Sequence, residues 1–176
     1  IKIKDYCKKK KIIFLSTPFD VESAFFLNKI NVPAFKISSS DNDNIFLIET
    51  IKKFKKPVII SSGMTKINEL KKILKFIRFP KNRLAILHCI SDYPTDIKNS
   101  QLDAMDQLNK LGYQIGFSDH TIGSSAAIAA VAKGATIIEK HITLDKNMEG
   151  PDHKASLECK DLNKFVKNIC DIKFSL

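Results

Sequence analysis

The chain has 176 residues, 44% hydrophobic and 27% charged, enough for one domain with its own core and ordinary for a globular protein. No run approaches the roughly 20 apolar residues of a membrane-spanning helix, and the opening Ile1-Lys2-Ile3-Lys4-Asp5-Tyr6-Cys7 has none of the regions of a signal peptide. The net charge of +10 comes mainly from lysines spaced helically among Ile and Leu, without interleaved aromatic residues. They read as solvated helix faces, so neither nucleic acid nor a membrane is expected as a partner.

From the N-terminus onward one pattern repeats: a short apolar run, small polar or ionisable residues at its end, then an amphipathic stretch. The runs are 11–15 before Ser16-Thr17-Pro18, 34–37 before Ser38-Ser39-Ser40, and 57–60 before Ser61-Ser62-Gly63. Next come 84–87 before His88-Cys89, 114–117 before Ser118-Asp119-His120, and 136–138 before Glu139-Lys140-His141. Their ends are roughly 22 to 30 residues apart, the length of a strand–helix unit. Between them the spacing predicts helices over 23–30, 68–76 and 124–132, the last closed by Gly134 as a C-cap.

Continuous apolar runs suit strands covered on both faces, as in a parallel sheet. Polar residues gathered at one end of every strand are the mark of a (β/α)8 TIM barrel, whose site lies on the C-terminal face. An open doubly wound sheet would concentrate the signal at one switch point, and no Gly-rich phosphate loop occurs. The expected fold is therefore a partial TIM barrel of about six strand–helix units, spanning 1–176, with two strands missing. The first residue is not Met, so the chain is expected to begin inside a longer one. The four cysteines, Cys7, Cys89, Cys159 and Cys170, form no CxxC pair and read as reduced thiols of a cytoplasmic protein. Cys89 is a packed small residue or a member of the site.

Two histidines stand at matching strand ends, His120 and His141. Two imidazoles plus water make an open site for a divalent transition metal. Side chains two apart point the same way along a strand, so Ser118 accompanies His120 and Glu139 accompanies His141. Asp152, in the loop Gly150-Pro151-Asp152-His153-Lys154-Ala155-Ser156, is either a further ligand or the capping Asp of a turn. Lys36 sits in an otherwise buried run, where an unpaired charge is costly, and an anionic phosphate would explain it. Thr17, Ser39, Ser91 and Ser118 supply neutral donors around the same ring. Strict alternation places Ser38 rather than Ser39 beside Lys36, so the strand should end there. His88 is a core histidine or a site group; Tyr93 and Ser91 share a parity and line the pocket together.

In this order the segments Phe14-Leu15-Ser16-Thr17-Pro18-Phe19-Asp20, Phe35-Lys36-Ile37-Ser38-Ser39, Leu87-His88-Cys89, Tyr93-Pro94, Ser118-Asp119-His120-Thr121, Glu139-Lys140-His141 and Gly150 to Ser156 resemble the sialic acid synthase family, the N-acetylneuraminate and legionaminic acid synthases. The resemblance covers nearly the whole chain. It implies that His120 and His141 bind Mn²⁺, with Mg²⁺ or Co²⁺ as alternatives. It implies that Lys36, Thr17, Ser39, Ser91 and Ser118 hold phosphoenolpyruvate, and that Asp41, Tyr93, Glu139 and Asp152 face the sugar, metal or water. The implied reaction joins phosphoenolpyruvate to an N-acetylated amino sugar, N-acetylmannosamine or a 2,4-diacetamido-6-deoxy sugar.

Some positions depart from the family pattern. Asp41 stands where many members have Glu, Ser62 where Thr is usual, and Ser91 where some have Asn. The family's first two strands, with a Glu and a Lys of the site, and its C-terminal antifreeze-like domain are expected to lie outside this chain. The chain would then run from the helix after strand two to the helix after strand eight. The full-length form is expected to be a homodimer and this stretch alone to be little active. The alternatives are a truncated, non-catalytic remnant that at most binds metal or ligand, and another phosphoenolpyruvate-dependent sugar-acid synthase of the same fold.

Overall fold

A computed structural model of the chain describes residues 1–175. Five short strands carry the architecture: β1 (Phe35–Ile37), β2 (Val58–Ser61), β3 (Leu84–Cys89), β4 (Gln114–Asp119) and β5 (Ile137–Lys140). They pair in sequence order and all in parallel, which requires a crossover between every neighbouring pair. Helices supply these crossovers: α3 (Ile45–Lys53), α4 (Ile67–Ile77), α5 (Ala104–Asn109) and α6 (Ser125–Ala132). Two more, α1 (Lys2–Lys9) and α2 (Val21–Lys29), precede the sheet. A small parallel pair, β6 (Ile142–Thr143) and β7 (Leu157–Glu158), and the helix α7 (Leu162–Ser175) follow it.

Local signals explain where the helices start and stop. The Asp20 carboxylate accepts from the Ser23 amide at 2.6 Å and caps α2, and that bond holds its pKa below the usual carboxylate value. Asn44 caps α3 by accepting from the Leu47 amide at 3.2 Å. Gly134 ends α6 with φ of +94°. There the Gly134 amide donates to Val131 and the Ala135 amide to Ala130, both at 2.9 Å, which is the Schellman pattern. The three expected helices are α2, α4 and α6, each within two residues of its predicted bounds.

The expected first strand, 11–15, joins no ladder; residues 12–18 have no regular secondary structure. A parallel strand is stable when both faces and both edges are covered, whereas Ile12 and Ile13 are 65% and 75% exposed. Only Phe14 of this run packs against the core.

Alternation sorts the strand residues into two sets. Phe35, Ile37, Val58, Ile60, Ile86, Ile115 and Phe117 face the helices and form the main core with Leu47, Ile51, Leu70 and Ala130. By the register, Lys36, Ser61, Leu87, Cys89, Gly116, Ser118 and Glu139 share the opposite face. In a flat sheet, strands about 4.8 Å apart would hold β1 and β5 roughly 19 Å from one another. Instead Lys36 of β1 meets Glu139 of β5 at 3.5 Å. The sheet is therefore curled into a half-barrel, with the polar set on its concave side.

Such curvature crowds the concave side, and Gly116 marks the tightest point. A Cβ there would lie 2.4 Å from the Ile137 carbonyl oxygen and 2.5 Å from Leu87 Cδ2. Gly116→Ala is expected to cost about 3 kcal/mol through overpacking. Urea denaturation of the folded variant checks this, and an unchanged midpoint would contradict the crowding.

Candidate active site

The C-terminal ends of all five strands open on one face, and there a cavity of about 350 Å³ is lined by residues from every strand or the turn after it. One side is cationic and hydroxylic. Lys36 is only 13% exposed, and its ammonium faces the Glu139 carboxylate. Ser118 donates to Glu139 Oε1 at 2.6 Å, so the carboxylate is held between β1 and β4. Beyond β1 the chain turns into a 3-10 helix over Ser39–Asp41. Alternation stops at that turn, and Ser38, Ser39 and Ser40 all reach the cavity. Ser39 Oγ also accepts from the Gly63 amide at 2.9 Å, tying this turn to the one after β2.

Ser61, the last residue of β2, was not among the expected site residues. The residue lines the cavity, and its hydroxyl is buried with no hydrogen-bond partner among the described residues. Buried hydroxyls without partners are rare, and one beside a cavity is a candidate donor for a ligand once a small movement exposes it. The rule that picked out the other strand ends applies equally to Ser61, since it closes the run 57–60. Asn42 holds this strand end in place by donating to the Ser61 carbonyl at 2.8 Å. Ser62 keeps a hydroxyl function, donating to the Leu87 carbonyl at 3.0 Å.

The other side of the cavity is aromatic. His120 and His141 have ring centroids 5.4 Å apart and rings nearly perpendicular. Tyr93 lies over His120 at 4.0 Å. His120 Nδ1 is 2.7 Å from the Ile90 carbonyl, which can only accept, so the proton is on Nδ1 and the lone pair on Nε2, 3.5 Å from the Ser118 hydroxyl. Burial pushes the His120 pKa down, the Ile90 bond opposing it, with the adjacent His141 lowering it further. A neutral imidazole whose Nδ1–H is fixed by a backbone carbonyl is the form in which histidine binds a metal. His141 Nδ1 stands 3.8 Å from Asp152 Oδ2. The two imidazoles are the groups here that could hold a divalent metal, with water or substrate completing its shell. Among the described residues no three His, Cys, Asp or Glu side chains converge into a closed cage.

Eight expected residues line this cavity: Lys36, Ser39, Ser91, Tyr93, Ser118, His120, Glu139 and His141. Three do not. Asp152 reaches it only through His141. Thr17 is half-buried in the irregular segment 12–18, outside the lining. Asp41 turns back on its own loop, accepting from Ser38 Oγ at 2.7 Å and Asn44 Nδ2 at 3.4 Å. Cys89 lines the cavity as a buried thiol, and burial pushes its pKa up. Burial also raises the Tyr93 phenol, with smaller contributions from Cys89, Asp152 and Glu139.

His88 belongs to the core. It stacks on Phe117 with ring centroids 5.7 Å apart, and its Nε2 lies 2.8 Å from the Ser100 carbonyl. A larger opening of about 530 Å³ lies on its side of the sheet, between the turn after β2 and α5. It shares only Gly63-flanking Met64 and Cys89 with the polar cavity, and no comparable set of charged groups meets there.

A curled parallel α/β sheet with a polar cavity at the C-terminal ends of its strands defines the class of fold to which the TIM-barrel enzymes belong. The chain belongs to the NeuB family, whose model matches residues 1–176. It is 41% identical over 172 residues to the N,N'-diacetyllegionaminic acid synthase of Campylobacter jejuni, covering 96% of this chain and 52% of that protein. It is 35% identical over 178 residues to the N-acetylneuraminate-9-phosphate synthase of Drosophila melanogaster, covering 99% and 48%. The crystal structure of the N-acetylneuraminic acid synthetase of Leptospira borgpetersenii matches with a TM-score of 0.92 at 37% identity, covering 98% of this chain and 61% of that one. A truncated 3-deoxy-D-arabino-heptulosonate 7-phosphate synthase of Thermotoga maritima shares the fold alone, with a TM-score of 0.79 at 17% identity and coverage of 98% and 70%. The chain spans about half the length of the curated relatives it matches. No helix among the described residues is long and apolar enough to cross a membrane.

Burial also lowers the His88 pKa, the Ser100 bond opposing it. The folded value lies below the unfolded 6.5, so the unfolded chain takes up the proton first as the pH falls. The resulting stability is complete above about pH 6.5 and declines below it; His120 acts in the same direction. Urea midpoints are expected to fall between about pH 7.5 and 5.5, and less steeply in His88→Gln.

Proposed function

We propose that the cavity is the active site of a synthase that condenses phosphoenolpyruvate with an N-acetylated amino sugar to give a nonulosonic acid and phosphate. The observation that carries this reading is the pairing of Lys36 with Glu139 across the curled sheet, beside the unpartnered Ser61 hydroxyl. A cation already held in a pocket, with hydroxyl donors around it, is a cradle for a phosphorylated carboxylic acid. The family supports the same reading, because its relatives are named for the synthesis of sialic, legionaminic and pseudaminic acids.

In this reading Lys36, Ser39, Ser61, Ser91 and Ser118 bind the phosphate and carboxylate of phosphoenolpyruvate. The sugar lies toward Tyr93, Asp152 and the two imidazoles. A divalent metal held by His120 and His141, Mn²⁺ first, supplies Lewis-acid polarisation of the acceptor carbonyl when bound. C3 of phosphoenolpyruvate forms the new bond to the sugar aldehyde carbon as the carbonyl π pair moves onto its oxygen, which takes up a proton to become a hydroxyl. Water adds at C2, and phosphate leaves with cleavage of its C–O bond. Glu139, already accepting from Ser118, takes the proton from that water in this reading, and Asp152 keeps the His141 ring oriented. Asp41 and Thr17 would need the surrounding loops to move before touching substrate.

The acceptor is N-acetylmannosamine or a 2,4-diacetamido-6-deoxy sugar. In the full-length enzyme, a cytoplasmic homodimer in this proposal, the five strands form part of a closed (β/α)8 barrel. Here β1 and β5 are the outer strands of an open sheet, and closure abolishes such edges. Turnover by this stretch alone is therefore expected to be low even where binding persists.

Calorimetric titration of phosphoenolpyruvate tests the reading. Binding is expected to strengthen with Mn²⁺, to lose that gain in His120→Ala/His141→Ala, and to weaken about tenfold or more in Lys36→Met. No binding by a chain that circular dichroism shows to be folded would refute it. Phosphate release from the full-length enzyme with each sugar identifies the acceptor.

A further inference from the structure

We infer that the buried ion pair of Asp119 and Lys140, on the side of the sheet away from the cavity, is a positioning device for His120, His141 and Tyr93. Asp119 is fully buried and Lys140 nearly so, and they meet at 2.8 Å. They stand directly opposite one another in the β4–β5 register. Asp119 Oδ1 also accepts from the Thr121 amide at 2.8 Å and from the Thr121 hydroxyl at 2.7 Å. The Lys140 ammonium donates to the Thr121 carbonyl as well. Every charged group in the cluster therefore has a partner, and three backbone or side-chain groups of Thr121 are tied into it.

The location matters more than the pairing. Asp119 and Lys140 are the last residues of β4 and β5. The next residue on each strand is His120 or His141, which alternation turns to the cavity. Both imidazoles are thus carried by the first residues beyond the parallel ladder, where strand ends fray. An anchor one residue earlier, on the opposite face, fixes the direction in which each chain leaves the sheet. The same anchor reaches Tyr93, because Thr121 bridges Thr95 and the Thr95 amide donates to the His120 carbonyl at 3.0 Å. Tyr93 precedes Thr95 by two residues and lies over the His120 ring.

Stability alone does not account for this cluster. The backbone ladder already pairs β4 with β5 over Gly116–Asp119. Taking two charges out of water also offsets most of their attraction, so a matched apolar pair serves stability as well or better. What an apolar pair cannot supply is the directional tie to Thr121.

Either single substitution leaves a buried, unpaired charge and risks unfolding, so the test is the double variant Asp119→Asn/Lys140→Met. Asn keeps the acceptor for Thr121 while the link between the strands is cut. The chain has four histidines, and their imidazole nitrogen NMR signals are read without metal. The expected result is that His120 and His141 shift while His88, seated on Phe117, does not. Unmoved signals, or all four histidines moving together as in a scaffold defect, would overturn the inference. The metal-binding consequence rests on the reading given under Proposed function: Mn²⁺ affinity by calorimetry should fall about tenfold or more. If the unsubstituted chain fails to bind Mn²⁺, that reading fails, while the imidazole signals still decide the inference.

Discussion

The curvature of the parallel sheet is the constraint on which the rest of the molecule depends. Lys36 and Glu139 sit on its first and last strands, yet they touch. Curling brings the concave residues of five strands within reach of one small ligand and spreads their helix-facing residues apart for α3, α4, α5 and α6 to cover. The crowding this creates is relieved where Gly116 lies between Leu87 and Ile137. One face therefore needs bulk and the other needs economy, and the strands show both in alternate residues.

Alternation also divides the two histidine-bearing motifs into separate jobs. In Ser118-Asp119-His120 and Glu139-Lys140-His141 the outer members of each triplet line the cavity. The middle members pair with one another on the far side. A strand end can thus carry chemistry on one face and its own anchor on the other. The arrangement works because a strand reverses its side-chain direction at every residue.

Electrostatics follows from burial. His120 is kept neutral by its surroundings and held in one tautomer by the Ile90 carbonyl, a state suited to ligation. Cys89 is kept protonated beside it, which makes it a filler of the cavity floor rather than a nucleophile. Lys36 and most of the serine hydroxyls gather toward β1 and β2, the imidazoles toward β4 and β5. That separation gives the two sides of one cavity different chemistry.

Much of this was legible in the residues themselves. Apolar runs ending in Ser, Lys, His and Glu marked five of the strands and most of the cavity lining, because burial and alternation are local rules. Matching histidines after β4 and β5 were visible for the same reason, as was Gly134 closing α6. What tertiary structure alone decided was which ends actually converge. Residues 12–18 have the composition of a strand but stay outside the ladder, since a ladder needs a neighbour and not only a pattern. Asp41 and Thr17 follow apolar runs yet miss the cavity, because the turn after β1 satisfies the Asp41 carboxylate locally and the segment bearing Thr17 joins no strand. In sequence Ser61 looks like the other serines at strand ends. Its distinction is a hydroxyl buried without a partner, and that is a property of its surroundings in three dimensions. The Asp119–Lys140 pair is of the same kind: each charge is unremarkable in sequence, and only the register of two adjacent strands makes them one buried group.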